Sequence, residues 1–429
     1  MDQKRASARD CFNRGNLAAA EVICRDILDA APADAAALHL LGLIAARVGM
    51  RDHAARYFSD ALSADPGHDA ARADLDVLRA SAPPAPAAPE QPPAPKYLVI
   101  KAWGFGFWSD VSAVLGALLL AEATGRTPLV HWGGNSLYGD GSTRDAFRNY
   151  FEPVSKATLD DVIALPDASC FPPKWSQRNL FEENLDKWRG EHSRMAALYF
   201  LARPERIAVC DFFIGVIDVW PWLSADHPMH GRPLIDVYRY LIGKYLRPSR
   251  TILDKCEVFF QAHLAGGPFV ALHIRGSDKA VEDAGLDRNN QSSFAALETV
   301  ESDWRIFLLT DDENWLGRIK EAYGERVVVT ESRRTAGATG VHYLTLDDYV
   351  RLGQEVMIDV YLATRADKFF GNGRSNVAAF IEALKDWKSG DCVLGAPSQL
   401  MERNLFIHVA PAERVEAFLA ETARFRNPA

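Results

Sequence analysis

The chain has 429 residues, room for two to four domains, and 48% of them are apolar, so a sizeable core is available. Its formal net charge of −9 argues against nucleic acid as the main partner, because phosphate backbones call for clustered positive charge; a small anion needs only a local basic site. The six cysteines, at 11, 24, 170, 210, 256 and 392, form no C-x-x-C pair, which reads as reduced thiols in a cytoplasmic protein and argues against structural zinc.

The N-terminus, "MDQKRASARDCFNRGN", lacks the apolar core of a signal peptide. No run is long enough for a membrane span; "AVLGALLLAEA" is too short and carries a Glu. Residues 1–80 are Ala-rich and without strand signals. Leu38, Leu41, Gly42, Ala45, Ala54, Phe58, Ala61 and Pro66 fall at the marker positions of a tetratricopeptide repeat. One period of about 34 residues earlier stand Ala8, Cys11, Ala20, Cys24, Ile27 and Pro32, a degenerate first copy. "DAARADLDVLRA" adds a capping helix. This segment resembles two tetratricopeptide repeats, which implies a peptide or protein partner or a dimer contact; a generic helical hairpin is the plainer reading. Residues 81–95, "SAPPAPAAPEQPPAP", read as a semi-rigid polyproline linker.

From Lys96 the pattern changes to strand, turn, helix, strand: "KYLVIK", "AWGFGFWSD", "VSAVLGALLLAEATG", "TPLVHW". Residues 135–250 are rich in aromatics and Pro and give no clear periodicity. After about 250 the alternation returns. "TILDKCEVFFQAHL" reads as a helix, "PFVALHI" and "WRIFLLT" as strands, "NWLGRIKEAYG" as a helix and "RVVVT" as a strand. "DDYVRLGQEVMIDVYLATRA" reads as a helix, "KFFGN" as a strand and "SNVAAFIEALKDW" as a helix, with "PAERVEAFLAETARF" as a closing helix. The fold class is therefore α/β: two Rossmann-like domains, 96–250 and 251–429, behind an all-α repeat module. Ligands in such sheets bind at the carboxyl ends of the strands.

Four strand ends carry chemistry. His273, Arg275, Ser277, Asp278 and Lys279 follow "VAL" in "HIRGSDK". Arg suits a diphosphate bidentately, Lys adds a point charge, His can donate to an oxygen, and Asp278 can orient either cation. "LLTDDEN" presents Asp311 and Asp312, either to a ligand or, for Asp312 or Asn314, as a helix cap. "GNGRSNVAAF" combines Gly371, Gly373, Arg374 and Ser375 at a helix start, a setting that favours phosphate. The turn Gly104-Phe105-Gly106 leads a helix into the cleft, but no third Gly follows and no acid ends the next strand, so a NAD site is not expected.

Taken in order and spacing, these segments resemble the α1,6-fucosyltransferases, of both the eukaryotic N-glycan core type and the rhizobial nodulation type. "HIRGSDK" is similar to the family's H-x-R-x-x-D-K segment; "GFGFWSDVSAVLGALLLAEATGRTPLVHWGGNS" resembles the start of the nodulation enzyme, "LLTDDEN" its T-D-D segment and "DVYLATRADKFFGNGRSNVAAF" its last motif. The likeness spans about residues 96–390. It implies a GT-B glycosyltransferase, inverting, using GDP-fucose as donor and needing no metal or cofactor. It implies that Arg275 binds the β-phosphate, with Lys279 and the helix start sharing the leaving-group charge. It extends donor contacts to His273, Ser277, Asp278, Asp311, Asp359, Gly373, Arg374, Ser375 and Asn376, the last standing where the family has Gln, and to the Gly104–Gly106 turn. By count the family's proposed base, a Glu, falls on Asp283, with Glu282 adjacent, so both remain candidates. The repeat module is foreign to that family's core enzymes. With no membrane anchor, a cytoplasmic bacterial enzyme is implied, its glycan or protein acceptor brought in by the repeats. The alternatives are an adaptor with a degenerate sugar-nucleotide module, or a transferase using another nucleotide sugar.

Overall fold

The structure, a computed structural model, describes residues 1–81, 94–142, 144–183, 187–276, 285–336 and 348–403, with 340, 341, 344, 346, 413–417, 419 and 420. Most of the expected linker, residues 82–93, lies outside the described residues.

Five helices open the chain: α1 (Asp2–Asn13), α2 (Leu17–Ala30), α3 (Ala35–Arg47), α4 (Arg51–Ala64) and α5 (Asp69–Ala80). Each packs on the next. Asn16, Asp34 and His68 cap the starts of α2, α3 and α5, each accepting from a backbone amide three residues on. Small residues set the spacing: Ala8, Ala20, Ala45, Ala54, Ala61 and Ala71 are fully buried. At Gly42 an added Cβ would lie 2.4 Å from the ring of Phe58, so only glycine admits that crossing.

These helices do not stand apart from the rest. Trp222, from the stretch without clear periodicity, is buried against α2 and α4. Its indole N–H donates to Glu21 Oε1 at 2.6 Å, and Arg25 stacks over the ring at 5.2 Å. His53 and Tyr57 complete the nest, with ring centroids 5.6 and 6.2 Å away. Arg56 donates to Pro221 O at 3.1 Å, and Arg403 pairs with Asp29 at 2.7 Å. One apolar core therefore runs from the helices into the sheets.

There are two parallel sheets. The first has the order β2-β1-β4-β3, from β1 (Tyr97–Lys101), β2 (Thr127–His131), β3 (Cys170–Phe171) and β4 (Ile207–Cys210). The second has the order β7-β6-β5-β8-β9, from β5 (Phe269–Ile274), β6 (Arg305–Thr310), β7 (Val327–Val328), β8 (Lys368–Gly371) and β9 (Cys392–Leu394). In the register Leu272 faces Leu308 on one side and Phe370 on the other. All six residues of β5 are buried, as a central strand covered on both faces requires.

Helix α6 (Phe107–Ala123) is buried nearly all round, which explains its lack of a polar face. It crosses so close to the chain after β4 that a Cβ on Gly116 would meet Ile214 O at 1.9 Å. Trp108 near its start lies 4.6 Å from Phe380 in helix Asn376–Leu384, so helices of the two sheets meet there. Val415 and Leu419, near the end of the chain, pack with Trp103, Trp188 and Phe212. Among the described residues no helix is long and apolar enough to cross a membrane.

Strands and helices stand where the alternation after 250 puts them. Within 135–250, β3, β4 and helix Leu234–Tyr245 have no sequence reading, and after 250 neither do β9 and helix Leu286–Ala295. "RVVVT" shrinks to the two-residue edge strand β7.

Candidate active site

The carboxyl ends of β5, β6 and β8 open into a cavity of about 680 Å³, closed on its other side by the start of α6 and its neighbours. The size suits a small organic ligand.

Strand β5 delivers His273 and Arg275 to this cavity. His273 is buried, and its Nδ1 has no hydrogen-bond partner among the described residues. Burial, with a smaller push from Arg275, holds its pKa down to about 3, so the ring is neutral at ordinary pH. Arg275 Nη1 is bound by Asp311 Oδ2, and the other oxygen of that carboxylate accepts the Gly276 amide at 2.9 Å. Asn290 fixes the same turn by donating to Arg275 O at 2.5 Å. The guanidinium is thus aimed by a carboxylate at the end of the adjacent strand.

Of the Asp pair, Asp312 is the helix cap, accepting from the Asn314 and Trp315 amides at 2.7 and 3.3 Å. Its side chain presses on Gly276, where a Cβ would lie 2.5 Å away. Asp311 alone lines the cavity.

After β8, Gly373 packs so tightly on the following loop that a Cβ would meet Ala396 O at 2.1 Å. Asn372, fully buried, accepts the Arg374 amide with its side chain at 3.0 Å and the Ser375 amide with its carbonyl at 2.9 Å. Ser375 is the residue before helix Asn376–Leu384, yet its hydroxyl makes no capping bond. Ser375 and the first residues of that helix, Asn376 and Val377, line the cavity that Arg275 enters. Arg374 is paired with Glu402.

Asp359 comes from the middle of helix Tyr349–Ala363. It is buried, and Thr330 donates to its Oδ1 at 2.5 Å. Burial pushes its carboxyl up to about 6, against the pull of Thr330 and Ser332. One turn earlier, Glu355 accepts the Arg333 amide at 3.1 Å.

On the opposite wall the turn before α6 is internally satisfied. Asp110 Oδ1 accepts the amides of Gly104 and Phe105 at 2.9 and 3.1 Å, and Tyr138 OH accepts that of Phe107 at 2.8 Å. Phosphate has few donors to gain there.

The structure thus brings His273, Arg275, Asp311, Asp359, Arg374, Ser375, Asn376, Phe105 and Gly106 to one cavity. Gly104 and Gly373 are not among the residues that line it. Ser277, Asp278, Lys279, Glu282 and Asp283 lie outside the described residues. Arg333, Glu355, Trp188, Phe213 and Arg403 also line it and were missed; nothing in their local sequence marks them. Among the described residues no group of three or more His, Cys, Asp or Glu is placed to hold a metal.

No protein-family model and no curated protein sequence matches the chain. Solved structures do match. The fucosyltransferase NodZ from Bradyrhizobium is 16% identical over 68% of this chain and 93% of its own, with a TM-score of 0.44. A mutant of Arabidopsis thaliana FUT1 in complex with GDP is 12% identical over 81% of this chain and 78% of its own, with a TM-score of 0.43. POFUT1 in complex with GDP-fucose is 14% identical over 71% of this chain and 98% of its own, with a TM-score of 0.36.

Proposed function

We propose that the chain is an inverting, metal-independent GT-B glycosyltransferase that moves fucose from GDP-fucose to a hydroxyl of a glycan or protein acceptor. The observation that carries the reading is the convergence of Arg275 and the uncapped start of helix Asn376–Leu384, with Ser375, on one cavity at the carboxyl ends of a parallel sheet. The order of the motifs that supply these residues supports it. Arg275, held by Asp311, takes the β-phosphate and stabilises the negative charge that grows as GDP departs. Ser375 and the helix amides take the remaining phosphate oxygens. A buried carboxylate repels a diphosphate but accepts well from N–H groups. Asp359 therefore suits the donor edge of guanine, with neutral His273 beside the nucleotide. The acceptor hydroxyl loses its proton to Asp283 or Glu282.

In this reading residues 96–250 form the acceptor-side domain and 251–429 the donor domain. The paired helices α1–α2 and α3–α4, with α5 as cap, are two tetratricopeptide repeats that engage the acceptor or a partner protein. The six cysteines are free thiols, which fits the cytoplasm.

Calorimetry with GDP, GDP-fucose, GDP-mannose and UDP-N-acetylglucosamine tests the donor. Binding of GDP and GDP-fucose is expected; absence of any guanine-nucleotide binding would falsify the fucosyl reading. Release of GDP from GDP-fucose in the presence of acceptor separates an enzyme from a binding module.

A further inference from the structure

Three arginines that line the cavity are each held by a carboxylate: Arg275 by Asp311, Arg374 by Glu402 and Arg403 by Asp29. Asp311 and Glu402 come from the same part of the chain as their partners. Asp29 does not: it stands near the end of α2, outside the cavity. Arg403 Nη1 donates to its Oδ2 at 2.7 Å, with the Asp29 side chain 67% exposed and the Arg403 side chain 13% exposed. The buried Nε of Arg403 has no hydrogen-bond partner among the described residues. Arg403 also lines a second cavity, of about 340 Å³, where Arg25, Arg56 and Tyr57 of α2 and α4 meet Trp220 and His230. One guanidinium thus stands between the two cavities. The segment that carries it is fixed to the loop after β8. Gly395 N–H donates to Gly371 O at 2.9 Å, Gln399 N–H to Gly373 O at 2.8 Å, and Tyr238 OH to Leu400 O at 3.1 Å. Residues 395–403 therefore form a strap from that loop to α2.

We propose that Arg403 is a further donor-binding residue and that Asp29, on the N-terminal helices, acts as a brake on it. The proposal rests on the GDP-fucose reading and adds a regulator to that site. With its backbone fixed by the strap, the guanidinium can turn to Asp29 or to an anion in the donor cavity. An ion pair whose carboxylate is mostly in water is weak, so a diphosphate competes with it. A partner that engages α2 at Asp29 releases the cation and raises donor affinity, and bound donor in turn exposes Asp29 to that partner. Because Asp29 is outside the donor cavity, its specific effect on the donor passes through Arg403.

The test is calorimetry of GDP binding to the full chain at low salt, with thermal melts to confirm folding. Asp29→Asn tightens GDP binding about two- to fivefold. Arg403→Ala weakens it about three- to tenfold, and in that background Asp29→Asn has no further effect. Arg403→Gln keeps most of the stem and loses the charge, and serves for the same cycle where Arg403→Ala fails to fold. Asp60→Asn removes another exposed acid from the second cavity and leaves GDP affinity unchanged, which separates the brake from a general change of charge. Unchanged or weaker binding in Asp29→Asn overturns the proposal, as does no loss on removing Arg403. So does an equal gain from Asp29→Asn without Arg403, or from Asp60→Asn. Failure of the wild-type chain to bind GDP strikes the donor reading instead, so the two failures are distinct.

Discussion

Asp311 at the end of β6 grips the guanidinium of Arg275 at the end of β5 and, with its second oxygen, the amide of Gly276. Thirty-six residues apart in sequence, the two are fixed side by side by the parallel register that sets Ile274 against Thr310. The carboxylate holds the cation in one orientation before any ligand arrives, which is what charge stabilisation in a transition state requires.

Removing that cation should therefore stop turnover without unfolding the chain. Arg275→Ala is expected to lower kcat by about 100- to 1,000-fold, read as GDP release from GDP-fucose. Asp311→Asn keeps the cation but loosens it, and should cost about tenfold. Near-normal rates in Arg275→Ala would remove its role.

Arg374 is held away from full availability by Glu402, an ion pair with both side chains partly exposed. Glu402→Gln should free Arg374 for the diphosphate and tighten GDP binding about two- to fivefold. Calorimetry at low salt reads the change; weaker binding would mean that Glu402 aids the donor site.

Asp359 gives the site a pH dependence. Its carboxyl is raised to about 6 by burial. In its proposed role as acceptor of guanine N–H groups it must be ionised, so GDP affinity should be level above about pH 7 and fall as the pH drops through 6. His273, neutral down to about pH 3, adds no step in this window. For stability the sign is opposite. Between the ordinary aspartate range and about 6 the folded chain binds the extra proton, so this residue's contribution to stability is greatest at the acid end and declines as the pH rises through 6. Asp359→Asn should flatten both profiles, seen by titration calorimetry and by urea melts at pH 5 and 8.

Trp222 joins the N-terminal helices to the sheets. Trp222→Ala should lower stability by about 3–5 kcal/mol, since it empties a buried site and strips Glu21 of a donor. Denaturant melts measure the loss, and early proteolysis between residues 81 and 96 would report loosened helices.

The long apolar runs were the legible part. Phe269–Ile274 and Arg305–Thr310 are uninterrupted and bounded by turns, and helix Tyr349–Ala363 carries its core residues at helical spacing. Strand β4 was not legible: four residues in an aromatic-rich stretch show no period, though it lies between β1 and β3. At the site, Arg275 and Asp311 were each singled out because both follow strands, but their pairing depends on strand order, which local pattern does not contain. Asp312 illustrates the same limit: cap and ligand look alike in sequence, and the structure gives it to the cap. The aromatic residues lining the cavity come from three separate segments, Trp103 with Phe105, Trp188 and Phe213, each of which alone reads as ordinary core.

The placing of Trp222 has a consequence for how the chain holds together. Here the eighty N-terminal residues roof a tryptophan that belongs to the sheet-bearing part, and Arg403, which lines the donor cavity, is anchored to Asp29 on α2. Cutting the helices away would expose the indole and strand two charges, so the N-terminal helices and the sheet-bearing part stand or unfold as one cooperative body.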